Sequence, residues 1–278
     1  MTIVTATRRN LLQSLLGACL LTAPSEAEED VNRIWADFLQ WLKSAKPSQD
    51  PGVLMGAYRA HLIERGLPPD ETRMRIARIM ERMRTHSDGW RQIFNNIYAS
   101  SNSGFSTRPN ALLVSAVENR KAGRALDAGM GQGRNSLFLA AKGWDVTGFD
   151  VSDGGIQVAQ KNAAGTGLRI NTIVADSAHF DYGLSRWDLI VITYEPFPVS
   201  DPGFVGKIRD ALRPGGLLVI ESFASDEGTP GRRPVDIDPA RLLRAMLPLR
   251  ILKFEDTEDI ADWTLAKVRL VRLVAQKL

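Results

Sequence analysis

Apolar positions Val31, Ile34, Trp35, Phe38, Leu39 and Leu42 recur every three or four residues, the stripe of an amphipathic helix. The acids Glu26, Glu28, Glu29 and Asp30 precede them, where negative charge suits the positive end of a helix dipole. A second helix is predicted from Val53 to Glu64, closed by Gly66-Leu67-Pro68-Pro69. A third starts near Asp70 and turns Met74, Ala77, Met80 and Met83 inward, and a fourth carries Trp90, Ile93, Phe94 and Ile97. The aromatic and methionine stripes read as packing faces, so residues 30–104 are expected to form a helical cap without chemistry of its own. The polar break Ser100-Ser101-Asn102-Ser103-Gly104 is the expected boundary, and 105–278 the domain beyond it.

Past that break the rhythm changes. Short apolar runs predict strands at Arg124 to Ala128, Asp145 to Asp150, Ile170 to Asp176, Trp187 to Thr193 and Leu217 to Phe223. Helices are predicted between them, over Asn135 to Lys142, Gly154 to Ala164 (stopped by Gly165) and Gly203 to Leu212 (stopped by Pro214-Gly215-Gly216). Continuous apolar strands joined by helices make a parallel sheet covered on both faces, with ligands at the carboxyl ends of its strands. No further strand-helix alternation is expected after Ser222. Instead, Arg250 to Phe254 and Val268 to Ala275 predict two strands joined by an acidic, Trp-containing connection of hairpin length. An α/β fold of three layers follows, its sheet ending in a reversed strand.

The candidate chemistry lies at the first strand end. Leu126-Asp127-Ala128-Gly129-Met130-Gly131-Gln132-Gly133 reads as a buried strand breaking into a glycine turn at the mouth of a helix, and Asp150 ends the next strand. Glycines there let backbone N–H groups approach a ligand that a Cβ would push away. Asp150 is placed to accept hydrogen bonds from both hydroxyls of a ribose. A nicotinamide dinucleotide is disfavoured, because the glycines stand evenly at 129, 131 and 133, with Arg134 where the last dinucleotide glycine would fall. Asp127 adds negative charge, which opposes a pyrophosphate and favours a ligand with an ammonium and a sulfonium. S-adenosylmethionine fits that description; a tight turn without a ligand is the plain alternative.

Composition narrows the field further. Cys19 is the only cysteine and the histidines stand apart at 61, 86 and 179, so neither a disulfide framework nor a metal site is expected. A net charge of +3, with Lys and Arg scattered among nearly as many acids, is no nucleic-acid footprint. Thr7-Arg8-Arg9-Asn10-Leu11-Leu12-Gln13 and the apolar run to Ala23 resemble a twin-arginine export signal, too short to span a bilayer comfortably. Leu16-Gly17-Ala18-Cys19 also resembles a lipoprotein box, although the apolar run continues past the cysteine. The alternative for residues 1–29 is an ordinary N-terminal helix. Export conflicts with a donor made and kept in the cytosol, so a cytoplasmic location is expected and an exported one stands as its alternative.

Residues 105–278 resemble the class I S-adenosylmethionine-dependent methyltransferases. The resemblance rests on Asp127 to Gly133, Asp150, Ala175-Asp176, Trp187-Asp188-Leu189-Ile190 running to Glu195, and Leu212-Arg213-Pro214-Gly215-Gly216, in that order. It implies a Rossmann-like, seven-stranded sheet of order 3-2-1-4-5-7-6 with strand seven antiparallel. Gly131 to Ala140 is similar in particular to the tellurite-resistance and related small-molecule branch. The resemblance implies that Gly129, Gly131 and Gly133 line the methionine portion of the donor, with Asp127 near its ammonium. It gives Asp150 the ribose hydroxyls, Val151 the adenine face, and Asp176 with Ser177 the adenine edge, and adds Thr193 to the cofactor set. Arg134 is left with two readings, the donor carboxylate or an ion pair on the helix surface.

On the acceptor side the resemblance implies Tyr194 and Glu195 as catalytic candidates, with His179 as a weaker one or a solvent-facing loop residue. Thr193-Tyr194-Glu195-Pro196 stands where many amino-group methylases carry Asn-Pro-Pro-Tyr, which disfavours a nucleobase or a glutamine amide as acceptor. The expected function is methyl transfer to a small-molecule acceptor by in-line displacement, in which positioning dominates and a base is optional. A cofactor-binding module without turnover is the alternative. No nucleic-acid partner and no stable membrane span are expected.

Overall fold

The computed structural model describes residues 26–48, 51–100, 103–229 and 235–278. The stretch read as an export signal lies outside them. Four helices come first, α1 (Glu26–Leu42), α2 (Pro51–Glu64), α3 (Pro69–Arg82) and α4 (Asp88–Ala99). They bury Phe38, Leu42, Tyr58, Leu62 and Ile79 in a core of their own. The inward face of α3 differs in part from the expected one: Met83 turns in and Met80 is half-buried as expected, but Thr72, Ile76 and Ile79 supply the rest, while Met74 and Ala77 are exposed. Its arginines explain the rotation. Arg78 pairs with Asp30 of α1, and Arg75 approaches Asp37 at 3.8 Å, which fixes that flank against α1.

A short helix α5 (Ala111–Val117), capped by the Asn110 side chain, leads into the sheet. There follow β1 (Arg124–Ala128), α6 (Arg134–Ala141), β2 (Asp145–Asp150), α7 (Asp153–Thr166), β3 (Asn171–Val174), β4 (Trp187–Thr193), α8 (Pro202–Ala211), β5 (Leu212–Phe223), α9 (Pro239–Met246), β6 (Arg250–Ile260) and β7 (Lys267–Gln276). The strand order is β3-β2-β1-β4-β5-β7-β6, with β7 antiparallel to both neighbours. The three-layer, mostly parallel sheet expected from the sequence is therefore present, reversed strand included.

Four local expectations are corrected. Helix α7 runs through Gly165 and ends at Gly167, whose φ of +69° supplies the left-handed stop. Strand β3 is only Asn171–Val174, because it is an edge strand whose outer residues are exposed. The Pro214-Gly215-Gly216 break belongs to β5, which starts at Leu212 and is irregular against β4 between Trp187 and Leu189. Helix α9 was not expected after Ser222. Its signals were present, since the Asp238 side chain accepts the Arg241 N–H as N-cap and Pro239 takes the first turn.

Helix α4 ties the amino-terminal helices to the sheet. Arg91 and Asn95 both donate to Asp153 at 2.9 Å, and Ser152 Oγ donates to Asn95 Oδ1 at 2.7 Å while accepting the Gly155 N–H. Ser87, ahead of the same helix, donates to Asp176 at 2.7 Å. The cap thus reaches the carboxyl ends of β2 and β3, where the marked residues fall.

Candidate active site

The turn after β1 is shaped by three positive φ angles, +69° at Gly129, +51° at Gly131 and +84° at Gly133. A Cβ at Gly129 would stand 2.5 Å from Glu195 Oε2, and one at Gly131 would meet the Tyr98 hydroxyl. These two glycines line a small cavity of about 50 Å³. Gly133 does not join them. A Cβ there would press on Ala159 of α7 at 3.0 Å, so its role is the close approach of two helices.

Asp127 lies buried behind the turn and does not line the small cavity. Ser136 Oγ donates to its Oδ2 at 2.6 Å, while Oδ1 is buried without a hydrogen-bond partner among the described residues. Burial pushes its carboxyl up to about 6. Asp150 does face the cavity, with Oδ2 accepting the Gly131 N–H and Oδ1 the Ser152 N–H, both at 2.8 Å. Burial raises it to about 6 as well, against the pull of those two hydrogen bonds. Ser152 caps α7, so Asp150 is not spent on capping.

Val151 lines both the small cavity and a large chamber of about 1040 Å³ between the cap and the sheet. Asp176 and Ser177 line the chamber only. The Asp176 carboxyl is occupied by Ser87 Oγ and by the His179 backbone N–H and ring Nδ1. Burial works against its ionisation, but these hydrogen bonds prevail and hold it below the usual carboxylate range. His179 is 84 % exposed in its side chain and stands at the chamber lining as a partner of Asp176.

Arg134 lines the small cavity, as a partner of the donor carboxylate would, and is not the surface ion pair of its other reading. It is buried, donating to Asp262 Oδ1 and to the Arg108 carbonyl at 2.9 Å each, and it stands over the Tyr194 ring at 5.9 Å. Its partner belongs to the β6–β7 connection, and the ion pair is internal. Thr193 Oγ1 accepts from Asn135 Nδ2 at 3.0 Å on the wall of the small cavity.

Tyr194 and Glu195 part company. The Tyr194 backbone is left-handed, with φ +58°, a conformation that costs a bulky residue roughly 1–3 kcal/mol and so marks a constrained site. Its phenol donates to Glu221 Oε1 at 2.5 Å, and burial, with the charges of Glu221 and Asp262, pushes its pKa far up and keeps it protonated. A phenol so held is a wall and not a base, which corrects its catalytic assignment. Glu195 lines both the small cavity and the chamber and accepts from Ser177 Oγ at 2.7 Å. Burial of its carboxyl, then the charge of Asp150, pushes it up to about 8.

Several residues of the site were not singled out from the sequence. Tyr98 of α4 lies over Gly131 and Gly155 and accepts the Gln132 backbone N–H. Trp263, in the β6–β7 connection, stacks on Phe105 at 4.5 Å and on Tyr194 at 5.4 Å. Phe94, Val151, Tyr194, Glu195 and Trp263 all border both spaces.

The residues present suit an S-adenosyl donor: two glycines leave a cradle that a Cβ would fill, and a buried carboxyl stands at the turn where a ribose would lie. Its methionine end would be held beside Gly129, Gly131, Asn135 and Thr193, and its adenosine beside Asp150 and Val151 toward Ser177. The small cavity alone is too tight for it, and the Tyr98 hydroxyl stands over its Gly131 wall.

Residues 125–216 match the family described as methyltransferase domain. Over 159 residues the chain is 30% identical to a 2-heptyl-1-hydroxyquinolin-4(1H)-one methyltransferase of Mycobacteroides abscessus, covering 49% of this chain and 70% of that protein. A demethylmenaquinone methyltransferase of Clavibacter sepedonicus is 30% identical over 115 residues, 41% of this chain and 46% of that one. The probable S-adenosyl-L-methionine-dependent methyltransferase TehB of Haemophilus influenzae is 26% identical over 111 residues, 37% of each chain. The matches thus span about half or less of the length of these last two relatives. The crystal structure of TehB from the same organism superposes with a TM-score of 0.54 at 20% identity, over 68% of this chain and 67% of that one, a likeness of fold. The chain belongs to the class I methyltransferases, whose methyl donor is S-adenosylmethionine.

Proposed function

We propose that the protein transfers the methyl group of S-adenosylmethionine to a small-molecule acceptor by in-line displacement. The observation that carries this reading is the position of Glu195, on the border between the glycine-lined cavity and a chamber of about 1040 Å³. Pockets for small molecules enclose roughly 300–1,000 Å³, so the chamber has room for an acceptor beside the adenosyl end of a donor. The bound donor supplies an electrophilic methyl on a sulfonium. Gly129 and Gly131 admit it closely, Asp150 orients its ribose, and Val151, Asp176 and Ser177 border its adenine end. Glu195 receives the acceptor proton, and Ser177 fixes the carboxylate for that task.

Relatives named for a hydroxyquinolone and for demethylmenaquinone support a small-molecule acceptor here. In this reading residues 30–104 act as a cap that closes the chamber, and 105–278 as the transferase domain. No helix among the described residues is long and apolar enough to cross a membrane. The need for the donor favours the cytoplasm over export, and mass-spectrometric identification of the mature N-terminus tests that choice.

The test of function is transfer of labelled methyl from S-adenosylmethionine to members of a panel of thiols, phenols, halides and metalloid oxyanions. Calorimetric binding of S-adenosylhomocysteine with no turnover on any of them would favour a binding module instead.

A further inference from the structure

Resting on that reading, we propose that the acceptor is a flat aromatic compound bearing a hydroxyl group with no charged group next to it, bound beside Phe94, Trp263, Tyr194 and Phe223 with the hydroxyl at Glu195. The four rings line the chamber and touch one another in succession. Phe94 and Trp263 are 6.4 Å apart, Trp263 and Tyr194 stack at 5.4 Å and 24°, and Tyr194 and Phe223 follow at 5.1 Å. Aromatic rings lining a chamber favour a flat ring that meets them edge to face or offset over an alkyl chain or a sugar. This lining is anchored, because the Tyr194 phenol is hydrogen-bonded to Glu221 and the Trp263 ring is backed by Phe105. Glu195 lines the same chamber as these rings, with its carboxyl held by Ser177.

Charge selects the group that reacts. Asp150 and Asp176 both act on Glu195, and each raises it. An acceptor with a phosphate or carboxylate beside its nucleophile would meet three acids. An amine there would be held as its ammonium, which has no lone pair to give. A neutral hydroxyl escapes both penalties. Glu195 lies at about 8, within reach of a phenol, which loses its proton near 10, whereas an aliphatic alcohol holds its proton far more tightly, as bulk water does. In the step, the hydroxyl proton passes to Glu195, the oxygen forms the new C–O bond, and the S–C bond of the donor breaks to leave a neutral thioether.

Calorimetry on the full chain saturated with S-adenosylhomocysteine, titrated with naphthol, octanol and naphthylmethylamine, provides the test, together with turnover of the same three compounds with S-adenosylmethionine. The expected result is that naphthol binds at least about tenfold more tightly than octanol and is the one converted, to its methyl ether. Phe223→Ala, and separately Val268→Trp, which fills the chamber from β7, should each weaken naphthol roughly tenfold and leave S-adenosylhomocysteine affinity unchanged. If S-adenosylhomocysteine binds but naphthol binds no better than octanol, or both variants bind naphthol as the parent does, the acceptor class is wrong and the methyltransferase reading stands. If S-adenosylhomocysteine itself does not bind, both fail.

Discussion

The Asp150 carboxylate accepts the backbone N–H of Gly131 at 2.8 Å, so the acid on β2 and the turn after β1 are set by one hydrogen bond. The adjoining Ser152 N–H, also at 2.8 Å, holds the other oxygen. A carboxylate has about four acceptor positions, so two remain for ribose hydroxyls. Asp150→Ala is expected to weaken S-adenosylhomocysteine by about 2 kcal/mol or more, since it removes a charged acceptor and loosens the turn. Isothermal calorimetry reads this directly, and an unchanged affinity would place the ribose elsewhere.

Gly131→Ala should be harmful in two ways. Its φ of +51° disfavours any Cβ, and the new methyl would strike the Tyr98 hydroxyl. A loss of roughly 1–3 kcal/mol in urea unfolding is expected, together with weaker S-adenosylhomocysteine binding. Gly165→Ala, in helix α7 with open space around the added methyl, is the control and should lose neither.

Glu195 acts as base only when ionised. With the carboxyl pushed up to about 8, kcat/KM should rise with pH through that value and then level off. The groups that act on it are Asp150, Asp176 and Ser177, none of which titrates in that range. Glu195→Gln should lower kcat by about 10²-fold and abolish the step in the profile. A variant that keeps both the rate and the step would remove Glu195 from catalysis.

The same group makes stability depend on pH. Its folded value of about 8 exceeds its unfolded value of 4.5, so between the two the folded state holds the extra proton and stability falls as pH rises. Asp127 and Asp150, each raised from 3.8 to about 6, add to the decline at its lower end. Glu195→Gln should therefore be more stable than the parent at about pH 9, by roughly 1–3 kcal/mol, and closer to it near pH 5. Urea titrations at the two pH values would show a constant difference if Glu195 were not responsible.

Glu221 is 1 % exposed, and Arg272 supplies its countercharge at 2.6 Å. Arg272 also reaches Asp259 at 2.9 Å, linking β5, β7 and β6. Arg272→Met leaves the carboxylate buried without that charge and should cost about 3–5 kcal/mol in chemical denaturation. Pairing it with Glu221→Gln should recover part of the loss, because the uncompensated charge is then gone.

What could be read from the chain follows from where the information is local. Strands β1, β2 and β4 begin and end at the expected residues, because each is a short run built around apolar residues and closed by a glycine, an acid or a turn. The glycine cradle and Asp150 were legible for the same reason: the turn and the strand end carry their own chemistry. Roles that depend on distant partners were not. Arg134 finds Asp262 128 positions away, and Tyr98 looks like any aromatic on a helical stripe until α4 lies along α7. Helix α9 was hidden by its short length, eight residues, within a polar stretch, although Asp238-Pro239 announced its start.

Trp263 touches three separated parts of the chain, with Phe94 and Phe105 on one side, Tyr194 on another and Phe223 behind. One indole thus serves as a hinge pin between the first helices and the final hairpin. Helix α4 cannot lift to admit a ligand without disturbing its ring, and whatever presses on that ring from within the chamber is felt at both ends of the molecule.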